Sequence, residues 1–426
     1  MLLHLGHSPT LIVSSPDIAR EIMKAQDIKF ANRPHMTAAK VLMYGCKDMS
    51  FTPYGEYYRQ IRKICVQELL SIKRVQSFKY IREEEVAMMI EKISRSCSLQ
   101  TPINIAEMVL TLSNNFTCRC ALGTKNEDGN KAISEMAREV STLFGALCFE
   151  DLYPSLGWVD VLTGLRSRFR KLSRKIDIYL EQVIDEHIRK REEDDSKKDL
   201  LDLLLKIQVD SNLTREHIKG LVLDMFIGGT ETSSTVIEWA MAELVRKPSS
   251  MKKAQEEVRR VVGLKSKVHE EDIDQMEYLK YVIKETLRLH APVPMSLPRI
   301  SYTSTNVNGY DIPPNTTVLI NAWAIQRDPD VWENPDDFIP ERFSSNSMDF
   351  TGQDYKFIPF GSGRRSCPGI SFGVAIVEVV ITNLLYHFDW ELPGGTTAEE
   401  LDMIEGFGMS ANKRIPLQLV PKSCSS

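Results

Sequence analysis

The chain has 426 residues, 42% of them hydrophobic and 26% charged, which excludes disorder, collagen and a coiled-coil rod as whole-chain readings. Its 53 basic and 58 acidic residues leave a formal charge of −5, so nothing suggests a general electrostatic grip on nucleic acid. A length of this order predicts two to three domains, or one large fold. Residues 2–14 predict two short strands around His7-Ser8-Pro9, and Ser15-Pro16 opens a helix with proline near its first turn. Residues 56–97 and 166–190 carry helical patterns. The mixed charge run 189–199 reads as a solvated loop.

Thr214 is a predicted N-cap with Glu216 in the first turn, and no breaker follows until Pro248 except Gly228-Gly229. A helix of about 33 residues spans roughly 50 Å. Being apolar around its middle, it must cross a core. Each central glycine costs about 1 kcal/mol of helix propensity, so something needs the space they leave. Further helices are predicted over 249–262 and 275–290. Residues 299–324 alternate, with Asn308-Gly309 as a hairpin turn. Proline-rich irregular chain follows over 328–363, and the last helix starts near Pro368. A strand-like pair flanks 405–413. The fold class is therefore mainly α, with a minor β component built from both ends of the chain.

The eight cysteines are sparse and irregularly spaced, which predicts reduced thiols. Cys118-Arg119-Cys120 lacks zinc-site spacing and reads as packed helix. The sequons at Asn115, Asn212 and Asn315 are expected to stay unmodified. No basic segment precedes a long apolar stretch at the start, so no signal peptide is read. No run reaches the roughly 18–20 apolar residues of a membrane span. The nearest, 374–388, is interrupted by Glu378, Thr382, Asn383 and His387.

The most informative segment is Phe360-Gly361-Ser362-Gly363-Arg364-Arg365-Ser366-Cys367-Pro368-Gly369. A helix N-terminus favours thiolate at Cys367, and Pro368 suits the first helical position. Gly363 and Gly369 remove side chains where something flat could approach. Arg365 offers a fixed cation. A thiolate beside a flat dianion describes haem iron held by cysteine.

Phe360, Gly363, Arg365, Cys367 and Gly369 resemble the haem loop F-x-x-G-x-R-x-C-x-G of the cytochromes P450. Gly228-Gly229-Thr230-Glu231-Thr232-Ser233 is similar to that family's oxygen-activating segment, and Glu285-Thr286-Leu287-Arg288 and Pro340-Glu341-Arg342-Phe343 to two further motifs. Phe30-Ala31-Asn32-Arg33-Pro34, Pro53-Tyr54-Gly55-Glu56-Tyr57, Arg62-Lys63-Ile64-Cys65 and Asp224-Met225-Phe226 resemble the plant A-type microsomal members, which serve specialised metabolism. The likeness runs through the whole chain. It departs at Tyr58, where the family usually has Trp.

The resemblance implies a cytochrome P450 fold with a long central helix, as one catalytic domain over 1–426. It implies haem b with Cys367 as axial iron ligand. Phe360 and Gly369 would flank the haem, and Tyr58, Arg62, Arg299 and Arg365 would meet its propionates. Glu231 and Thr232 would serve as acid and alcohol for proton relay, and Gly228 and Gly229 would leave room for oxygen. Glu285, Arg288 and Arg342 would form a buried structural triad. The pocket candidates are Met43, Phe51, Phe226, Gly228, Val293, Met295, Phe407 and Met409.

The implied activity inserts one oxygen atom of O2 into an apolar small-molecule plant metabolite. Electrons would come from NADPH through a reductase that docks on Lys63, Lys73 and Arg74. A monomer is expected, on the cytosolic face of the endoplasmic reticulum. Plant relatives begin with a membrane helix and a hinge, so this chain reads as lacking that anchor. Two alternatives remain: a haem-thiolate isomerase or dehydratase, and a shortened haem-binding isoform without turnover.

Overall fold

The computed structural model describes residues 1–125, 127–190, 198–265, 267–406 and 408–424. Most of the predicted charge-run loop, and Phe407 among the pocket candidates, lie outside the described residues.

The described strands are β1 (Leu2–Leu5), β2 (Ser8–Val13), β3 (Ile103–Asn104), β4 (Arg299–Ile300), β5 (Thr305–Val307), β6 (Tyr310–Ile312), β7 (Thr317–Ile320), β8 (Phe388–Glu391) and β9 (Gln418–Ser423). One sheet has the order β1-β2-β7-β4. Its β2 and β7 run parallel, pairing Thr10 with Thr317, so residues some 300 apart in sequence close one sheet. A second sheet, β3-β9-β8, ties the chain's end to its first third. The β5–β6 hairpin turns at Asn308 (φ 49°) and Gly309 (φ 84°), as the Asn-Gly dipeptide predicts.

The longer helices are α1 (Glu56–Ile64), α2 (Lys79–Leu99), α3 (Ile105–Leu122), α4 (Glu127–Phe144), α5 (Leu165–Lys190), α6 (Leu200–Asp210), α7 (Arg215–Arg246), α8 (Pro248–Val262), α9 (Glu277–Leu289) and α10 (Ile370–His387). The predicted helical stretch 56–97 is broken, because a π-helical turn at Cys65–Leu69 and a short helix at Ile72–Ser77 separate α1 from α2. Helix α7 opens at Thr214, whose hydroxyl accepts from the His217 N–H, and spans 32 residues. It crosses the core, packed by α3, α4, α9 and α10, as an apolar helix of that length must.

Helix α10 is long and apolar enough to cross a membrane, yet 56% of it is buried inside the fold. Two of the polar residues that interrupt it are satisfied within the helix. Thr382 Oγ1 donates to the Glu378 carbonyl (2.6 Å) and Asn383 Nδ2 to that of Val379 (2.8 Å). Cys118 and Cys120 are buried in α3, with Arg119 paired to Glu84 and Glu85.

Candidate active site

The cysteine loop is folded by its glycines. Gly361 (φ 66°) and Gly363 (φ 70°) take backbone angles that other residues resist. A Cβ on Gly363 would also collide with the Met23 carbonyl and the Asp27 carboxylate. The turn returns the Cys367 N–H to the Phe360 carbonyl at 3.0 Å. Helix α10 starts at Ile370 with Gly369 as its N-cap, so Pro368 precedes the cap and does not take the first helical position. The Gly369 N–H donates to Cys367 Sγ at 3.3 Å. Burial pushes the thiol up, against the opposing effects of that N–H and Arg62. The helix end alone therefore does not make the thiolate. A Cβ on Gly369 would meet only that sulfur, at 3.9 Å, so the face beside it is open.

Cys367 lines a cavity of about 300 Å³ between the loop and α7. One end of the cavity is cationic. Arg33, Arg62, Arg299 and Arg365 all line it, with Tyr58. Arg62 donates to the Ser366 carbonyl (2.9 Å) and Oγ (2.8 Å), and Arg299 to Asp27 (2.8 Å) and the Ser362 carbonyl (2.8 Å). Arg365 reaches the carbonyls of Ala31 (2.7 Å) and Thr52 (2.6 Å). Arg33 spans Ser50 (2.7 Å) and Pro298 (2.7 Å). Burial, then Arg365 and Arg299, hold the Arg33 guanidinium well below its ordinary value. Burial brings Arg365 down to about 10. Arg299 is lowered by burial too, although Asp27 opposes this. Positive charge held this close calls for an anion.

Tyr58 lines this cationic end and is itself hydrogen-bonded within the protein. Its hydroxyl proton goes to the Arg364 carbonyl (2.5 Å), and its oxygen accepts from Arg62 (3.3 Å). The ring lies 3.9 Å beneath the Arg365 guanidinium. Tyr58 thus helps hold Arg62 and Arg365 in place. Arg33 is the residue that sequence reasoning missed. It stood in the string Phe30-Ala31-Asn32-Arg33-Pro34, but nothing local tells which arginine the fold turns inward.

Across the cavity, α7 presents Gly228 and Thr232 one turn apart. Thr232 Oγ1 donates to the Gly228 carbonyl at 2.6 Å. The space beside Gly228 is open. Gly229 lines the cavity as well and has a second use. A Cβ there would lie 3.1 Å from Thr117 Oγ1, so it lets α3 approach α7 closely. Glu231 does not line the cavity. Its carboxylate accepts from Ser410 Oγ at 3.5 Å, and burial raises it above the ordinary carboxylate range.

Of the pocket candidates, Phe51, Gly228, Val293 and Met409 line the cavity. Met43 and Phe226 do not; both are fully buried in the core. Met295 is half-buried outside the lining. Phe226 fails for a helical reason: two residues at 100° each put it on the far side of α7 from Gly228 and Asp224. Asp224 is a lining residue not foreseen, and so is Thr117.

Away from the cavity, Arg288 Nε and Nη2 donate to both Glu285 oxygens (2.7 and 2.8 Å), and Arg342 Nε donates to Glu285 Oε1 (2.9 Å). Glu285 and Arg288 are fully buried. Lys63 and Lys73 are exposed and Arg74 half-exposed, Lys63 directly following Arg62.

A cysteine on a tight loop faces an alcohol-bearing helix across an apolar cavity, with clustered arginines at one end. That arrangement suits a flat anionic group lying beside the sulfur. The chain belongs to the cytochrome P450 family, whose model matches residues 1–417. It is similar to Cytochrome P450 71A1 of Persea americana, at 52% identity over 99% of this chain and 86% of the relative. It is also similar to Desmethylyatein synthase of Sinopodophyllum hexandrum, at 49% over 100% and 87%. Costunolide synthase of Cichorium intybus is 45% identical over 99% and 85%. A zebra fish cytochrome P450 solved with progesterone shares the fold, with TM-score 0.85 and 23% identity over 99% of this chain and 96% of that one. The chain is an A-type plant cytochrome P450 monooxygenase. Its family's cofactor is haem. The open face at Cys367 and the mutually repelling arginines fit a flat dianion.

Proposed function

We propose that the chain, acting as one catalytic domain, hydroxylates or epoxidises an apolar small-molecule plant metabolite. NADPH would supply the electrons through a reductase. Haem, when bound, supplies oxygen activation, and this chain's residues bind, orient and deliver protons. Cys367 would ligate the iron, and Arg33, Arg62, Arg299 and Arg365 would hold the propionate end. One observation carries the reading: Thr232 places a hydroxyl on the cavity wall, with Gly228 leaving space beside it. An isomerase or dehydratase has no need of that alcohol.

Thr232 would move a proton at Oγ1, and Glu231 would recharge it from the Ser410 side. Thr232→Ala is expected to keep NADPH consumption while diverting it from product to peroxide. Unchanged coupling would reject the relay, and turnover without O2 or NADPH would reject the monooxygenase.

The exposed Lys63 and Lys73 suit an acidic reductase surface. Residence at the endoplasmic reticulum membrane draws on an apolar face. Met1, Leu2 and Leu5 of the first strand region are exposed, as are Leu147, Trp158 and Leu162. The His7 N–H donates to the Leu152 carbonyl at 2.8 Å, joining the two segments. Exposed apolar side chains on two joined segments suit a lipid interface.

A further inference from the structure

Asp224 is the one carboxylate lining the cavity among the described residues. It lies one turn before Gly228 on α7, and Gly220 lies one turn before it. All three share a face. At Gly220 a Cβ would come within 3.1 Å of the Asp48 nitrogen and 3.2 Å of the Lys47 carbonyl carbon. The backbone of residues 47–48 is therefore laid directly on α7, where only glycine leaves room. One turn on, Asp224 Oδ2 accepts from the Met49 N–H (2.6 Å) and Oδ1 from Ser50 Oγ (2.6 Å). Met49, Ser50 and Phe51 line the cavity in turn, and the Phe51 ring stacks on Phe144 at 4.8 Å.

Asp48 is completely buried beside this contact. Its Oδ2 accepts from the Phe51 N–H at 2.7 Å, while Oδ1 has no partner. The two carboxyls thus differ. Asp224 receives a donor at each oxygen, which suits an ionised group. Asp48 leaves Oδ1 without a partner among the described residues. Arg33 and Arg365 face the pair from the cationic end, and Cys46, Tyr57 and Cys65 from the surrounding chain. Burial raises Asp48 well above its ordinary value, with Asp224 adding to the rise, and raises Asp224 to about 6.

We propose that Asp224, through its hydrogen bonds to Met49 and Ser50, is a positioning residue. It latches residues 48–52 onto α7 and so fixes the wall against which a substrate lies. The positioning role rests on the monooxygenase reading; the latch does not. Amide hydrogen exchange of residues 47–52 reads the latch alone. Asp224→Asn should accelerate exchange at Met49 about tenfold, the loss expected for one hydrogen bond to a charged group. Asp48→Asn leaves both Asp224 acceptors in place and should leave that exchange unchanged. Met49 staying protected in Asp224→Asn, or Asp48→Asn loosening it equally, would overturn the latch.

For the wall, spectral titration of the haem-loaded chain compares 4-phenylimidazole with imidazole. Asp224→Asn should weaken the bulky ligand about tenfold and spare the small one. Equal loss of both, or of neither, would overturn positioning. Should Asp224→Asn not fold, Ser50→Ala removes one anchor and should shift both readouts the same way by less. If the unaltered chain gave no imidazole spectrum, the haem reading would fall while the exchange result still judged the latch.

Discussion

Glu285 carries two guanidinium groups on one carboxylate, with no exposed surface on it or on Arg288. Arg288 also donates to the carbonyls of Gln326 (2.8 Å) and Pro335 (2.7 Å), so the ion pair stitches irregular chain onto α9. Removing one member leaves an uncompensated buried charge. Glu285→Ala is expected to lose about 3–5 kcal/mol in denaturant unfolding, with falling haem content. At Gly363 the penalty is steric, since φ is 70° and a Cβ would strike Asp27. Asp27 also holds Arg299, so Gly363→Ala should disturb loop and cationic end together. The expected readout is a lowered ratio of haem to protein absorbance after purification, and a normal ratio would refute it. The Cys367 motif and the Glu285–Arg288 spacing were plain in the sequence. Arg33 was not, because inward orientation depends on carbonyls at residues 50, 297 and 298 that only folding brings near.

At the scale of elements, α7 organises the site through a period its sequence displays. Gly220, Asp224, Gly228 and Thr232 recur every four residues on one face. The cap at Thr214 and the helix's length were readable from local signals. The pocket was read less well, because Phe226 was taken from its position in the family's pattern and not from its angle on the helix. A second element-level contact responds to pH. His187 on α5 bonds Asp199, the N-cap of α6, through Nε2 at 2.9 Å. Burial alone would lower the imidazole's pKa, but the Asp199 carboxylate overrides it and raises it. A raised histidine stabilises fully below its unfolded value of about 6.5 and loses that contribution as pH rises through the higher folded value. The thermal-midpoint gap between the unaltered chain and His187→Ala should therefore shrink on moving from pH 6 to pH 9. A constant gap would reject the ion pair as its source.

At the scale of the whole molecule, the apolar face and the cavity answer different demands. Trp158 is 58% exposed and Leu162 76% exposed, costly in water and suited to lipid. Burying each is worth about 1.5–3 kcal/mol. Trp158→Ser with Leu162→Ser should weaken partition of this chain onto phospholipid vesicles more than tenfold, measured by sedimentation, and leave imidazole titration unchanged. Undiminished partition would reject the membrane face.

The sequence by itself determined the cysteine loop, the central helix and its caps, the hairpin turn and the family, because each is written in residues close together. Only the tertiary structure decided which arginines gather at one end, that the Tyr58 ring lies under Arg365, that Gly229 admits a helix, and that Met49 and Ser50 bond Asp224. Those depend on contacts across tens to hundreds of residues, where burial removes water and leaves each polar group to whatever partner the fold supplies.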